Sequence, residues 1–198
     1  MSVMLDLIGS VIIAAFVIMI GLKLNQTIAG NSDASTANLN VQESMIDIVR
    51  SLEYDFRKIG YGVPENQTAL LDTGSTSITF LSDIDNSGVL DTVEWYAGPV
   101  ITGLPNPNVR VLYRRVNGGT PVGASLGVTQ FTLRYLDQDG GTPVSMAAIY
   151  IIELTLQVES PYKVQDQVMT DLSYEDMEYA VAFWRQTRLA SRNMRRHG

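Results

Sequence analysis

Residues 83–94 read DIDNSGVLDTVE, and their oxygen-bearing groups fall at the spacing of a calcium loop. Side-chain oxygens stand at the first, third, fifth, ninth and twelfth places, on Asp83, Asp85, Ser87, Asp91 and Glu94. The carbonyl of Val89 takes the seventh place and Gly88 the sixth. A hard cation gathers roughly six to eight such oxygens, which is the chemistry this pattern would serve. Ser87 departs from it, standing where Asp or Asn is usual. The strand-like flanks 78–82 (ITFLS) and 92–97 (TVEWYA) suit a plain hairpin instead, with short polar side chains bonding their own backbone. No Lys or Arg occurs between Lys58 and Arg110, so the four carboxylates have no cation nearby in sequence. Calcium as a cofactor and the empty hairpin both stay open.

Asp6 is the second residue whose position implies chemistry. It adjoins sixteen uncharged residues, LIGSVIIAAFVIMIGL (7–22), closed on the far side by Lys23. A carboxylate beside so apolar a stretch is costly unless it finds a cation. The first nine residues offer only an α-amine, its own or that of a neighbouring copy. The plainer alternative is a headgroup-facing residue, or an acid answering the helix dipole.

Most other chemistry is excluded by composition. The chain has no cysteine, so thiol catalysis, thiolate metal sites and disulfides are absent. Its only histidine is His197, at the end of 198 residues, which argues against histidine triads and acid–base work. Asp137 and Asp139, in YLDQDGG, read as a turn; no phosphate-binding glycine loop, nucleophile elbow or zinc spacing occurs. The chain reads as a non-enzyme.

Charge points the same way. The net charge is −7, but five of the fourteen basic residues lie in the last fourteen positions, where no acid occurs. The preceding body carries all twenty-one acids. An acidic body argues against nucleic acid as a partner, despite the Arg-rich end.

The elements that must position these residues begin with the apolar stretch. As a helix, 7–22 spans about 24 Å, a little short of the hydrocarbon core. Met1, Val3, Met4 and Leu5 extend it to full length. It has no basic residue before Lys23, unlike a signal peptide, and reads as a membrane anchor. With so few charges, the positive-inside bias leaves its orientation weakly set.

Residues 24–40 are small and polar, a weak point at which Gly30, Asn31 and Ser32 could break a helix and Ser32 or Asp33 could equally cap a new one. From Val41 the pattern is helical again, with Val41, Met45, Ile48, Leu52, Phe56 and Ile59 on one stripe. Gly60, Gly62 and Pro64 end it. The period then becomes two, giving strands near 78–81, 92–97, 109–116, 130–135, 152–158 and 179–189. Turn signals separate them at Asn86-Ser87-Gly88, Asn117-Gly118-Gly119 and Asp139-Gly140-Gly141. One-sided alternation predicts an antiparallel sheet covered by the 41–59 stripe. The fold class is α+β: a long N-terminal helix, apolar then amphipathic, packed on an antiparallel β-sheet. The expected divisions are an anchor at 1–23, a polar segment and amphipathic helix at 24–62, and a sheet domain at 63–198.

This order of elements resembles the type IV pilin and type II secretion pseudopilin superfamily. Read from Ser2, the chain gives Ser2-Val3-Met4-Leu5-Asp6, with an acid fifth where the family has glutamate. The blocks MIDIVRSLEYDFRKIGYG (45–62), ITFLSDIDNSG (78–88), VLYRRVNG (111–118) and GVTQFTLRYLDQDG (127–140) are similar to the larger minor pilins and J-type minor pseudopilins. There is no basic leader and no glycine before a cut site; the chain is either already mature or a divergent member. The resemblance implies a structural subunit held in the cytoplasmic membrane by one span, then built into a periplasmic or extracellular filament. It implies helix 3–22 packing with copies of itself or related pilins, with the help of an assembly platform. Ser2 would supply the amine that pairs with a neighbour's Asp6. The alternative is a single-pass anchored binding module acting as a monomer.

Overall fold

The six stripe residues, Val41, Met45, Ile48, Leu52, Phe56 and Ile59, are all buried, each exposing 6% of its surface or less. They lay the C-terminal half of a single helix onto a sheet, as the computed structural model of the chain describes for residues 2–164, 177–189 and 193. That helix, α1, runs Ser2–Arg57 without interruption for 56 residues, or about 84 Å. Seven strands follow: β1 (Leu70–Thr73), β2 (Ser77–Ser82), β3 (Asp91–Val100), β4 (Arg110–Val116), β5 (Val122–Leu136), β6 (Ile151–Val164) and β7 (Glu178–Leu189). They form one sheet in sequence order, every neighbour antiparallel. The α+β architecture is as the alternation required.

The polar weak point at Gly30–Ser32 does not break the helix, which is long and continuous as the fold class required. Helix propagation needs only one new bond per residue, so a weak patch between two strong segments continues more readily than it stops. Ala34 is already buried and Ala37 packs against the core, so the patch is held from its C-terminal side. Its polar side chains turn back onto the helix: Thr27 Oγ1 donates to the Lys23 carbonyl, Thr36 Oγ1 to Ser32 and Asn38 Nδ2 to Ala34.

The sheet is bent around the helix at β5. Gly127 there has φ +105°, and a Cβ would lie 2.8 Å from the Glu159 carbonyl, so the position needs glycine. The pairing of β5 with β6 shifts between Val128 and Gln130, leaving residues 122–128 of β5 facing β4. The free edge beyond the bulge is taken by the β1–β2 turn: the Leu133 N–H donates to the Ser75 carbonyl at 2.8 Å. The Tyr135 hydroxyl lies within bonding distance of the Gly74 and Ser77 carbonyls, and burial raises its pKa. The closed concave face carries Ile78, Phe80, Val93, Trp95, Leu112, Phe131, Leu154 and Leu156 against α1.

One local difference and one agreement stand out. β1 was not foreseen; it is four residues long and pairs irregularly with β2. The Asn117-Gly118 turn has φ of 51° and 65°, the positive pair that a tight hairpin needs.

Candidate functional site

The β2–β3 hairpin brings three of the four sequence carboxylates together. Ligand oxygens of Asp83, Asp85 and Asp91 all lie within 4.8 Å of one another. Asp83 is buried, Asp85 exposed and Asp91 between the two. The loop is built by the same oxygens. Asp83 Oδ1 accepts from the Ser87 N–H at 2.8 Å and Oδ2 from Gly88 at 2.9 Å. Asp85 Oδ1 accepts from Ser87 as well, and Asp91 Oδ2 from the Ile84 N–H. The Asp85 carboxyl is held below its ordinary value, chiefly by hydrogen bonding to the Ser87 side chain. Positive φ at Asn86 and Gly88 lets the chain turn this tightly.

Glu94 is corrected. It lies on β3 opposite Arg115 of β4 and is ion-paired with that arginine, outside the three-carboxylate group. A strand register put a cation beside it that no sequence spacing could reveal. Ser87 contributes its hydroxyl to the Val89 N–H at 3.3 Å, and the Val89 side chain is exposed. Hairpin and carboxylate cluster thus coexist. Three hard anionic oxygen donors with spare lone pairs suit a divalent cation in chemical type, and these three aspartates could hold one. The loop rests on the end of α1, where Lys58 Nζ donates to the Ile84 carbonyl at 2.6 Å and Tyr54 Oη to the same oxygen at 3.3 Å.

Asp6 stands on the exposed apolar half of α1, and Ser2 opens that helix. The surrounding side chains are bare on every side, from Val3 at 78% to Leu24 at 58% exposed. The most apolar window there has mean hydropathy 2.7, and none of it is buried. This is one helix long and apolar enough to cross a membrane, and its position near the N-terminus also fits a signal sequence. His197 and most of the Arg-rich end lie outside the described residues.

One buried charge was missed. Asp55 is 1% exposed and accepts from Trp95 Nε1 at 2.8 Å and from Arg114 Nε and Nη2 at 2.6 and 3.1 Å. Its spacing of three from Leu52 and seven from Ile48 placed it on the core side of α1, and that was the available signal. The cluster pins α1 to β3 and β4.

A groove of about 250 Å³ lies between α1 and the end of β6, lined among others by Val41, Ser44, Val158, Pro161 and Tyr162. No protein-family model, curated protein or solved structure matches the chain.

Proposed function

We propose that the chain is a non-enzymatic structural subunit, pilin-like or pseudopilin-like, of a type IV pilus-type filament. The observation that supports this most is the unbroken helix: one half bare and apolar all round, the other half buried in the sheet domain. A lone span would need no rigid continuation into the folded domain, whereas a filament subunit must transmit the position of its core helix to its outer domain. The helix 3–22 is held in the cytoplasmic membrane before assembly and then packs with copies of itself or related pilins. Asp6 is the residue that assembly uses, because a carboxylate taken into an apolar bundle must meet a cation. Calcium is the occupant proposed for Asp83, Asp85 and Asp91, with the hairpin as its frame.

The test is negative-stain imaging of native material together with sheared-filament yield against total membrane-bound protein. Wild type should appear in filaments and Asp6→Glu should largely keep its yield. Asp6→Ala should remain in the membrane and lose incorporation. A wild-type chain found only as a membrane monomer would replace the filament with the anchored binding module, for which the α1–β6 groove is the site to examine.

A further inference from the structure

Between residues 2 and 32 only two side chains are charged, Asp6 and Lys23. They close the two ends of the apolar stretch, both exposed, and neither side chain has a partner among the described residues. They cannot serve each other within one chain. α1 is continuous between them, and seventeen residues of helix hold them about 25 Å apart along its axis.

A second copy removes that separation. Two parallel helices at equal height place Asp6 beside Asp6 and Lys23 beside Lys23, which repels at both ends. Sliding one copy outward by about 25 Å brings its Asp6 to the height of the other copy's Lys23. Resting on the filament reading, we infer that Asp6 of one copy pairs with Lys23 of a copy about 25 Å further along, with copies at intermediate heights supplying the apolar packing of 3–22, and that this pair fixes the axial distance between the two. The α-amine is a cation whose place depends on where the chain is cut; Lys23 stays where it is in either case.

Two further points favour the pair. Seventeen residues leave the helix about 100° short of five whole turns, so Asp6 and Lys23 face different azimuths on one copy. Such an interface joins two different patches and repeats head to tail, the kind that grows into open helical arrays rather than closing as a dimer. The direction of motion also suits extraction from a membrane. Copies in the bilayer share one height, with Asp6 at one face and Lys23 at the other. A copy drawn outward by the length of the span carries its carboxylate to the lysine level of the copy still embedded, so the charge meets a partner as it leaves its own headgroup layer.

The chain has no cysteine, which makes the geometry directly readable. Ser10 and Thr27 each lie four residues beyond the paired charges, on the same sides of the helix. In full-length chains in native membranes, the doubly substituted Ser10→Cys/Thr27→Cys variant should give a cross-linked ladder with a short thiol-reactive linker, and each single variant should stay monomeric. Asp6→Lys and Lys23→Asp should each lower assembly by about thirty-fold or more, and the combined swap should restore it. Wild-type filaments with no ladder, or a swap that stays inactive, would overturn the pairing and leave the filament reading standing. Dimers of Ser10→Cys alone would establish equal height and overturn it too. A ladder in membrane oligomers without filaments would keep the pairing and remove the filament; neither ladder nor filaments would remove both.

Discussion

The two halves of α1 share one backbone and differ in nearly everything else. Residues 3–24 expose Ile8, Val11, Ile12, Ile13, Phe16 and their neighbours by half or more, and pack against nothing among the described residues. Residues 41–59 bury one stripe completely, with Asp55 beside it, and turn most other charged residues outward. An isolated soluble domain would hide the first half. Bare apolar surface of that extent near the N-terminus suits a membrane anchor or a signal sequence. The difference separates two jobs: the second half stabilises the fold, and the first half contributes nothing to it.

Removing the first half outright should have the largest effect. A chain starting at Asn25 should stay dispersed without detergent, while the full chain should need detergent, membrane or a filament. A full-length chain running as a soluble monomer in plain buffer would undo the division at its root.

In the second half, Asp55→Ala should be the most damaging substitution. It leaves Arg114 without its carboxylate and the Trp95 N–H without its acceptor, in a site where Asp55 is 1% exposed. Breaking a buried pair in this way costs about 3–5 kcal/mol. Chemical denaturation of the sheet domain measures it. Asp55→Leu combined with Arg114→Met should recover much of the loss, because no stranded charge remains. Ile48→Ala comes next: the residue is 1% exposed, and such truncations cost about 2–5 kcal/mol.

How much of this was legible in the sequence depended on range. The stripe 41–59 and six strands followed from periodicities that a short window contains. β1 did not, because LLDT is too short to show a period and owes its place to β2 and to the docked Ser75 turn. Whether the helix runs through Gly30 stayed open, since local propensity cannot register the packing of Ala37 on the core. Asp83, Asp85 and Asp91 came together because one hairpin holds all three. Glu94 was drawn away by Arg115, twenty-one residues on, and only the β3–β4 register makes them neighbours.

The hairpin gives the next effect, outside both halves of the helix. If calcium binds only the folded loop, stability rises by about 2.7 kcal/mol at a hundred times the Kd. Melting in millimolar calcium against chelator reads it, and Asp85→Ala should abolish the shift. A midpoint indifferent to calcium would leave the hairpin as a self-bonded turn. The pH dependence has a definite sign. The Asp85 carboxyl sits below its ordinary 3.8, so its contribution is complete above that value and declines as pH falls through the lower folded pKa. The calcium comparison therefore belongs near neutral pH.

The smallest expected effect is the sharpest test of the comparison. Ile18 and Ile48 are the same residue on the same helix, 64% and 1% exposed. Ile18→Ala should change the unfolding free energy of the sheet domain by no more than about 0.5 kcal/mol, because no packing is lost and no cavity opens. Asp6→Ala should be equally silent, since its carboxylate bonds to nothing among the described residues. The measurement is denaturant unfolding of full-length variants in detergent, followed through Trp95, which is fully buried in the sheet core. A loss near that of Ile48→Ala would mean that the first half docks on the sheet domain in solution. Its bareness would then be a state the chain leaves, and the helix would have one job instead of two. If both variants unfold like wild type while filament yield falls for Asp6→Ala, folding and assembly occupy separate halves of a single helix, and a substitution can remove one without touching the other.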